Sequence, residues 1–406
     1  MTSGRGLLGY DRGGLASWSL TVRRDARIVL PPFIVSRLIV IVATIAGSRL
    51  IPAGAATTFP IHGPGALQPF LRFDATYYQS LWQSGYSGPL AGYHAAFYPL
   101  YPLLVRAIGT LAIGPETAAL LISNGAFLAA LFLIYRVATR YLEPVDASRS
   151  LWILALWPWA IFYSYAYAES LELLAVAAAF LLMERGAWIW SGVLAALAGA
   201  SRPSGILTSL AYAGEFVQRL GARFSLPRLR GRDREGALLT PVVIGGLLSP
   251  LGLIAFCIIL LIQTGNPFGF LHAQSLWLGP HPRNPLFPIT SALRLFTRHN
   301  ILDTEAPVFP VLVGFLAAIV WAARRLPLRY TAWGAGFLVV AVLQGYYVRS
   351  VTAAPRHILE WFPLFFAIAV LLRPPRPWFL TPLWLLASAV VLAAYAAMFG
   401  SWHYVS

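Results

Sequence analysis

The chain is a succession of apolar runs, each near the length that a membrane helix needs, separated by short stretches rich in arginine. A helix covers the hydrocarbon core with about 20 apolar residues. Runs of that kind lie near 28–50, 117–138, 148–165, 167–184, 187–201, 204–218, 239–263, 306–323, 330–348, 358–372 and 378–399. The pattern predicts eleven spans. Composition closes off the other classes: 11% of the 406 residues are charged and 58% are apolar, whereas soluble domains carry roughly 25% charged residues. So small a supply cannot coat a water-facing surface. A soluble enzyme, a disordered chain and a fibre are excluded, and an all-α polytopic integral membrane protein is expected.

Every one of the 30 basic residues is arginine, and the net charge is +15. In a soluble protein that balance would point to nucleic acid. Here the arginines sit between apolar runs, so membrane lipid is the expected partner and nucleic acid is not. With a cytoplasmic N-terminus and residues 97–114 lying along the outer surface, the inner loops hold 20 arginines and the outer loops 9. A span at 97–114 would reverse that count, so the positive-inside rule favours eleven spans and an outer C-terminus. The expected division is a cytoplasmic tail over 1–27, a single transmembrane domain over 28–399 and an outer tail over 400–406. Two long outer segments, 51–116 and 265–306, are rich in aromatic residues and proline, a composition suited to interfacial helices. The basic inner loop from Arg219 to Arg234 is expected to meet anionic headgroups. The single cysteine, Cys257, can form no internal disulfide. The N-terminus reads as a retained helix and not a cleaved signal.

The residues that could carry chemistry stand out against so apolar a background. Asp74, in Arg72-Phe73-Asp74-Ala75-Thr76-Tyr77-Tyr78, is the only acid between Asp25 and Glu116. A lone carboxylate among aromatics beside a membrane helix is a candidate general base; a salt bridge to Arg72 is the alternative. Glu169 lies in a tyrosine-rich segment, 163–170, where a carboxylate needs a cavity or a partner. Glu172, one turn further in, reads as structural and paired with an arginine. Arg202 stands in Ser201-Arg202-Pro203-Ser204-Gly205, where proline and glycine break the helix beside a guanidinium fork suited to phosphate; snorkelling to the surface is the alternative. Gln274 and His272 could reach a polar ligand or simply pack. Arg356 and His357, at a helix mouth, form another candidate anion site. No metal-ligand spacing, Walker loop or dinucleotide fingerprint occurs, so no cofactor and no metal site is expected.

Taken in order, these motifs resemble the PIG-V type mannosyltransferases. The likeness runs through Arg72-Phe73-Asp74-x-x-x-Tyr78, then Gly85-Tyr86, then Phe97-Tyr98-Pro99-Leu100-Tyr101-Pro102 on to Arg106. It continues in Tyr165–Ser170, Ser201–Gly205, Thr264–Phe268 with Ala273-Gln274, and Pro355-Arg356-His357. It covers roughly residues 30–370. The resemblance implies a GT-C glycosyltransferase in a bacterial plasma membrane, with its active site in an outer cavity. It implies a polyprenyl-phosphate mannose donor and catalysis by Asp74. On that reading Arg356, Arg202 and His357 hold the donor phosphate, and Arg72, Tyr77, Tyr98, Tyr101, Glu169 and Gln274 line the substrate cavity. The acceptor, whether glycan, glycolipid or protein, is not specified. A transporter or flippase for a lipid-linked or small solute is the rival class, since it too would carry broken helices and a few intramembrane charges.

Overall fold

The computed structural model describes residues 14–54, 65–87, 91–225, 232–278, 293, 308–347 and 354–405. Among them every regular element is helical, as the apolar periodicity predicts. Four segments are individually long and apolar enough to cross a membrane: Arg23–Leu50, Pro115–Ala138, Leu239–Thr264 and Leu380–Gly400. The other expected runs come as shorter helices or in pieces. The first helix begins at Gly14 and not at 28, so part of the expected tail is helical. Most of the second outer segment, 279–306, lies outside the described residues apart from Leu293.

Proline explains the interruptions. The run near 148–165 is a helix, Pro144–Ala155, followed by a 3-10 turn, Pro158–Tyr163; proline cannot donate the hydrogen bond that would carry the helix on. Helix Trp188–Ser201 stops at Arg202, whose backbone is extended (φ −155°, ψ 159°). Pro203 disfavours helical geometry in the residue before it. The long span over 239–264 is broken between Leu248 and Leu251. Ser249 sits in the break, its hydroxyl donating to the Gly246 carbonyl at 2.9 Å and lying 2.7 Å from the Ser209 hydroxyl. Side-chain partners of this kind make a broken helix tolerable in lipid. Residues 97–114 form helix Leu100–Ile108 of nine residues and a π turn, Gly109–Ile113, of five. Together these rise about 21 Å, short of the roughly 30 Å core.

Close helix contacts rest on absent side chains. A Cβ at Gly252 would fall on the Ala196 carbonyl, and one at Gly205 on the Ala198 carbonyl. Small residues of this kind let membrane helices approach backbone to backbone. At the centre of the molecule lies a stretch that is mostly not α-helix: residues 159–170 are all buried. Buried backbone must find partners, and here other elements supply them. Ser123 donates to the Tyr167 carbonyl at 3.0 Å and Asn124 to the Ser164 carbonyl at 3.2 Å. Arg37, from the first helix, donates to the Ser164 hydroxyl at 2.8 Å and the Ala160 carbonyl at 3.2 Å. The hydroxyl of Tyr163 reaches the Leu359 carbonyl at 3.1 Å. This insert is the platform on which the candidate site is built.

Candidate active site

Asp74 opens helix Asp74–Ser84, and the residue before it takes a conformation that L-residues rarely adopt: Phe73 has φ 53° and ψ −121°. The surroundings hold it there. Its ring lies 5.1 Å from Phe399, 5.4 Å from Trp402 and 5.5 Å from Tyr404, centre to centre. The loop is also tied to the buried insert by Tyr167. The Asp74 amide donates to the Tyr167 hydroxyl at 3.1 Å, and that hydroxyl donates to the Arg72 carbonyl at 3.1 Å. One tyrosine therefore fixes the backbone on both sides of Phe73 and sets the direction of the Asp74 side chain.

That carboxylate meets Arg356, not Arg72. Arg356 Nη1 is 2.7 Å from Asp74 Oδ2, and Nε and Nη2 lie 2.6 and 2.5 Å from Glu169 Oε1. Its guanidinium also covers the rings of Phe162 and Tyr167, at 4.3 and 4.9 Å. Glu169 in turn reaches Arg202 at 3.0 Å. Arg202 also pairs with Glu360 at 2.9 Å and approaches Glu172 at 3.6 Å, while Ser204 donates to Glu172 at 2.9 Å. Four acids thus surround two guanidiniums. Glu169 Oε2, Glu172 Oε1 and Glu360 Oε2 are buried with no hydrogen-bond donor among the described residues. Asp74 is the acid at the mouth, with 25% of its side chain exposed against none for Glu169. Among the described residues no hydrogen bond is made to its Oδ1.

No family model matches this chain, and no curated protein matches it. Among solved structures it is similar to the oligosaccharyltransferase of Archaeoglobus fulgidus in several states. The complex with zinc and sulfate aligns at 13% identity and TM-score 0.45, over 91% of this chain and 53% of that one. The apo form aligns at 14% and 0.44, over 92% and 56%. The complex with an inhibitory peptide and a dolichol-phosphate aligns at 14% and 0.44, over 91% and 56%. The chain spans about half the length of those structures. Its chemistry is accordingly argued from its own residues.

The geometry revises several expected roles. Arg202 does not snorkel: it is 6% exposed and held by carboxylates. Neither it nor Arg356 offers a phosphate the open fork that the sequence suggests, because carboxylates already fill both. Glu172 takes the arginine partner expected of it. His357 has Nδ1 3.5 Å from Arg202 Nη2. Burial, reinforced by Arg202 and Arg356, pushes its pKa well below the usual imidazole range, so the ring adds no charge near neutral pH. Tyr101 is completely buried, with its hydroxyl 3.0 Å from the Ala119 carbonyl and 3.1 Å from Ser123. It backs the site and does not line it. Tyr98 packs on Phe256 at 4.4 Å. Tyr77 stacks on Phe97 at 5.0 Å, and burial, then the charge of Asp74, pushes its hydroxyl up to about 12. It stays a neutral hydroxyl group one helical turn from Asp74. Gln274 and His272 are on helix Gly269–Leu278, and the side chain of Gln274 lies outside the described residues.

Arg72 is the unexpected member. Its guanidinium lies 4.4 Å from the Trp402 ring centre, and its buried Nε has no acceptor among the described residues. Sequence reasoning also passed over Tyr167 as a backbone tether, Glu360 as the third acid on Arg202, and the aromatic C-terminal turn. Only Tyr167 and Glu360 had a signal, each being polar inside an apolar segment. Among the described residues no group of three His, Cys, Asp or Glu side chains is placed to hold a metal. What the arrangement can do is take a proton at a fixed, partly open carboxylate beside an aromatic wall.

Proposed function

We propose that the chain is an inverting glycosyltransferase. It moves a mannosyl residue from a polyprenyl-phosphate donor to an acceptor hydroxyl on the outer face of a bacterial plasma membrane, with an eleven-span, GT-C-like topology. One observation carries the reading. Asp74 is clamped through Oδ2 by Arg356, its amide is clamped by Tyr167, and Oδ1 is left over at the mouth of a buried polar cluster. A base held this way is preorganised for proton abstraction. The acceptor oxygen attacks the anomeric carbon as Asp74 takes its proton. The bond from that carbon to the phosphate oxygen breaks on the opposite face, and polyprenyl phosphate leaves with the electron pair. A single displacement turns a β-linked donor into an α-linked product. The choice of mannose rests on the order of the sequence motifs.

The test is transfer by the purified chain in bilayer nanodiscs, with a radiolabelled polyprenyl-phosphate mannose and a panel of lipid and peptide acceptors. The expected result is an alkali-stable α-mannoside and stoichiometric polyprenyl phosphate, both lost in Asp74→Asn. Movement of the intact labelled lipid between leaflets, without cleavage of the sugar–phosphate bond, would replace this reading with the flippase class.

A further inference from the structure

We propose that Arg72, stacked on Trp402, is the subsite for the anionic phosphate of the lipid-linked donor. The proposal rests on the lipid-linked substrate of the reading above and names the side chains that receive it. The cluster around Asp74 offers a phosphate no open guanidinium fork, because carboxylates already hold both of its arginines. Arg72 is different. It is half-buried two residues from Asp74, and it makes no ion pair among the described residues. Its described contact is the face of the Trp402 ring, 4.4 Å away. A guanidinium stacked by its face keeps its in-plane N–H donors free, and those edges bind phosphate oxygens in pairs. Burial lowers its pKa to about 10, so it remains charged at neutral pH.

A second observation is independent of charge. Among the described residues, two that are not glycine have positive φ: Phe73 at 53° and Trp402 at 64°. They touch, with ring centres 5.4 Å apart. One precedes Asp74, and the other carries the ring under Arg72. Backbone strain of this kind persists only where the surroundings over-determine it, and it gathers at ligand sites. Phe73 follows Arg72 in the chain and Trp402 stacks on its guanidinium, while Tyr167 holds the Arg72 carbonyl at 3.1 Å.

The test measures equilibrium binding of undecaprenyl phosphate to the full chain in phosphatidylcholine nanodiscs, with undecaprenol, inorganic phosphate and phosphatidylglycerol as competitors. The wild type is expected to bind the lipid phosphate and to ignore undecaprenol, phosphatidylglycerol and millimolar inorganic phosphate. Arg72→Ala should weaken binding by roughly 10–100-fold, the loss typical of charged hydrogen bonds, with Arg72→Lys in between and Trp402→Leu also weakened. Melting of each variant is recorded on the same sample. Should Arg72→Ala fail to fold, Arg72→Lys and Trp402→Leu decide the matter. Wild-type affinity in the folded variants, or equal displacement by inorganic phosphate, overturns the proposal. Arg72-dependent binding in a chain that transfers no sugar sustains the proposal and overturns the glycosyltransferase reading. Sugar transfer with an unchanged donor KM in Arg72→Ala does the reverse.

Discussion

Two of the ionic clusters among the described residues, one around Arg329 and one around Asp74, are built on opposite rules. Around Arg329, two acids meet three arginines. Glu184 Oε1 receives Arg329 at 2.5 Å, Tyr141 at 2.6 Å and Tyr330 at 2.7 Å, and Arg140 stands 3.8 Å from Oε2. Glu215 takes Arg329 at 2.6 Å and Arg219 at 2.7 Å. Every carboxylate oxygen there has a cationic neighbour. Around Asp74, four acids share two arginines and three oxygens lack a donor among the described residues. Buried acids are costly unless paired. The first cluster meets that cost for its acids, leaving only Arg329 Nε without an acceptor among the described residues, as suits a joint between helices. The second leaves it partly unmet, which is the mark of a place where something else binds or a proton moves.

The comparison can be broken in four ways. Asp74→Asn keeps the side chain's shape and removes its basicity. Turnover should fall by about 10²–10⁴ with the chain still folded and its melting temperature lowered only by the loss of the charged bond to Arg356, and turnover per folded molecule near wild type would remove Asp74 from the mechanism. Arg329→Met acts on the other cluster and leaves two glutamates without their shared partner. Such losses cost about 3–5 kcal/mol, to be read from denaturant unfolding, while transfer by the surviving folded fraction should be normal. Glutamine exchange then separates the two designs directly. Glu184→Gln gives up charged hydrogen bonds and should lose roughly 1.5–3 kcal/mol. Glu172→Gln should lose less, because it relieves an acid excess and its amide can donate toward an oxygen that lacks a donor. Equal losses would erase the distinction. The smallest effect belongs to Arg140→Ala: its side chain is 40% exposed, and exposed pairs contribute at most about 1 kcal/mol.

Much of the scaffold was legible in the sequence, and for physical reasons. Apolar runs gave the helices, and Pro158 and Pro203 marked where they stop. The isolation of Asp74 pointed to the loop at the mouth of the cluster. The partners were not legible, because nothing local dictates them. Asp74 finds Arg356 at a separation of 282 residues, and the neighbouring Arg72, the obvious partner by sequence, turns to an aromatic ring near the C-terminus. The phosphate roles given to Arg356 and Arg202 came from counting cations one at a time. In three dimensions both guanidiniums are already paired with carboxylates, and only the folded chain contains that information.

The buried insert over 159–170 carries a consequence for motion. Segments without regular helix are ordinarily the first to open, and their amides exchange with solvent fastest. Here the order should invert. The amides of Ser164, Ala166 and Tyr167 are buried among aromatic rings and donate to the carbonyls of Ile161, Phe70 and Tyr165. Arg37, Ser123 and Asn124 hold the neighbouring hydroxyl and carbonyls, so the deuterium uptake of these amides should lag behind that of the helix ends around them. The Asp74 loop, bolted to such a slow-exchanging block, cannot fold over a bound ligand. A ligand must instead arrive already shaped to fit, so selectivity would be exercised at arrival and not by closure.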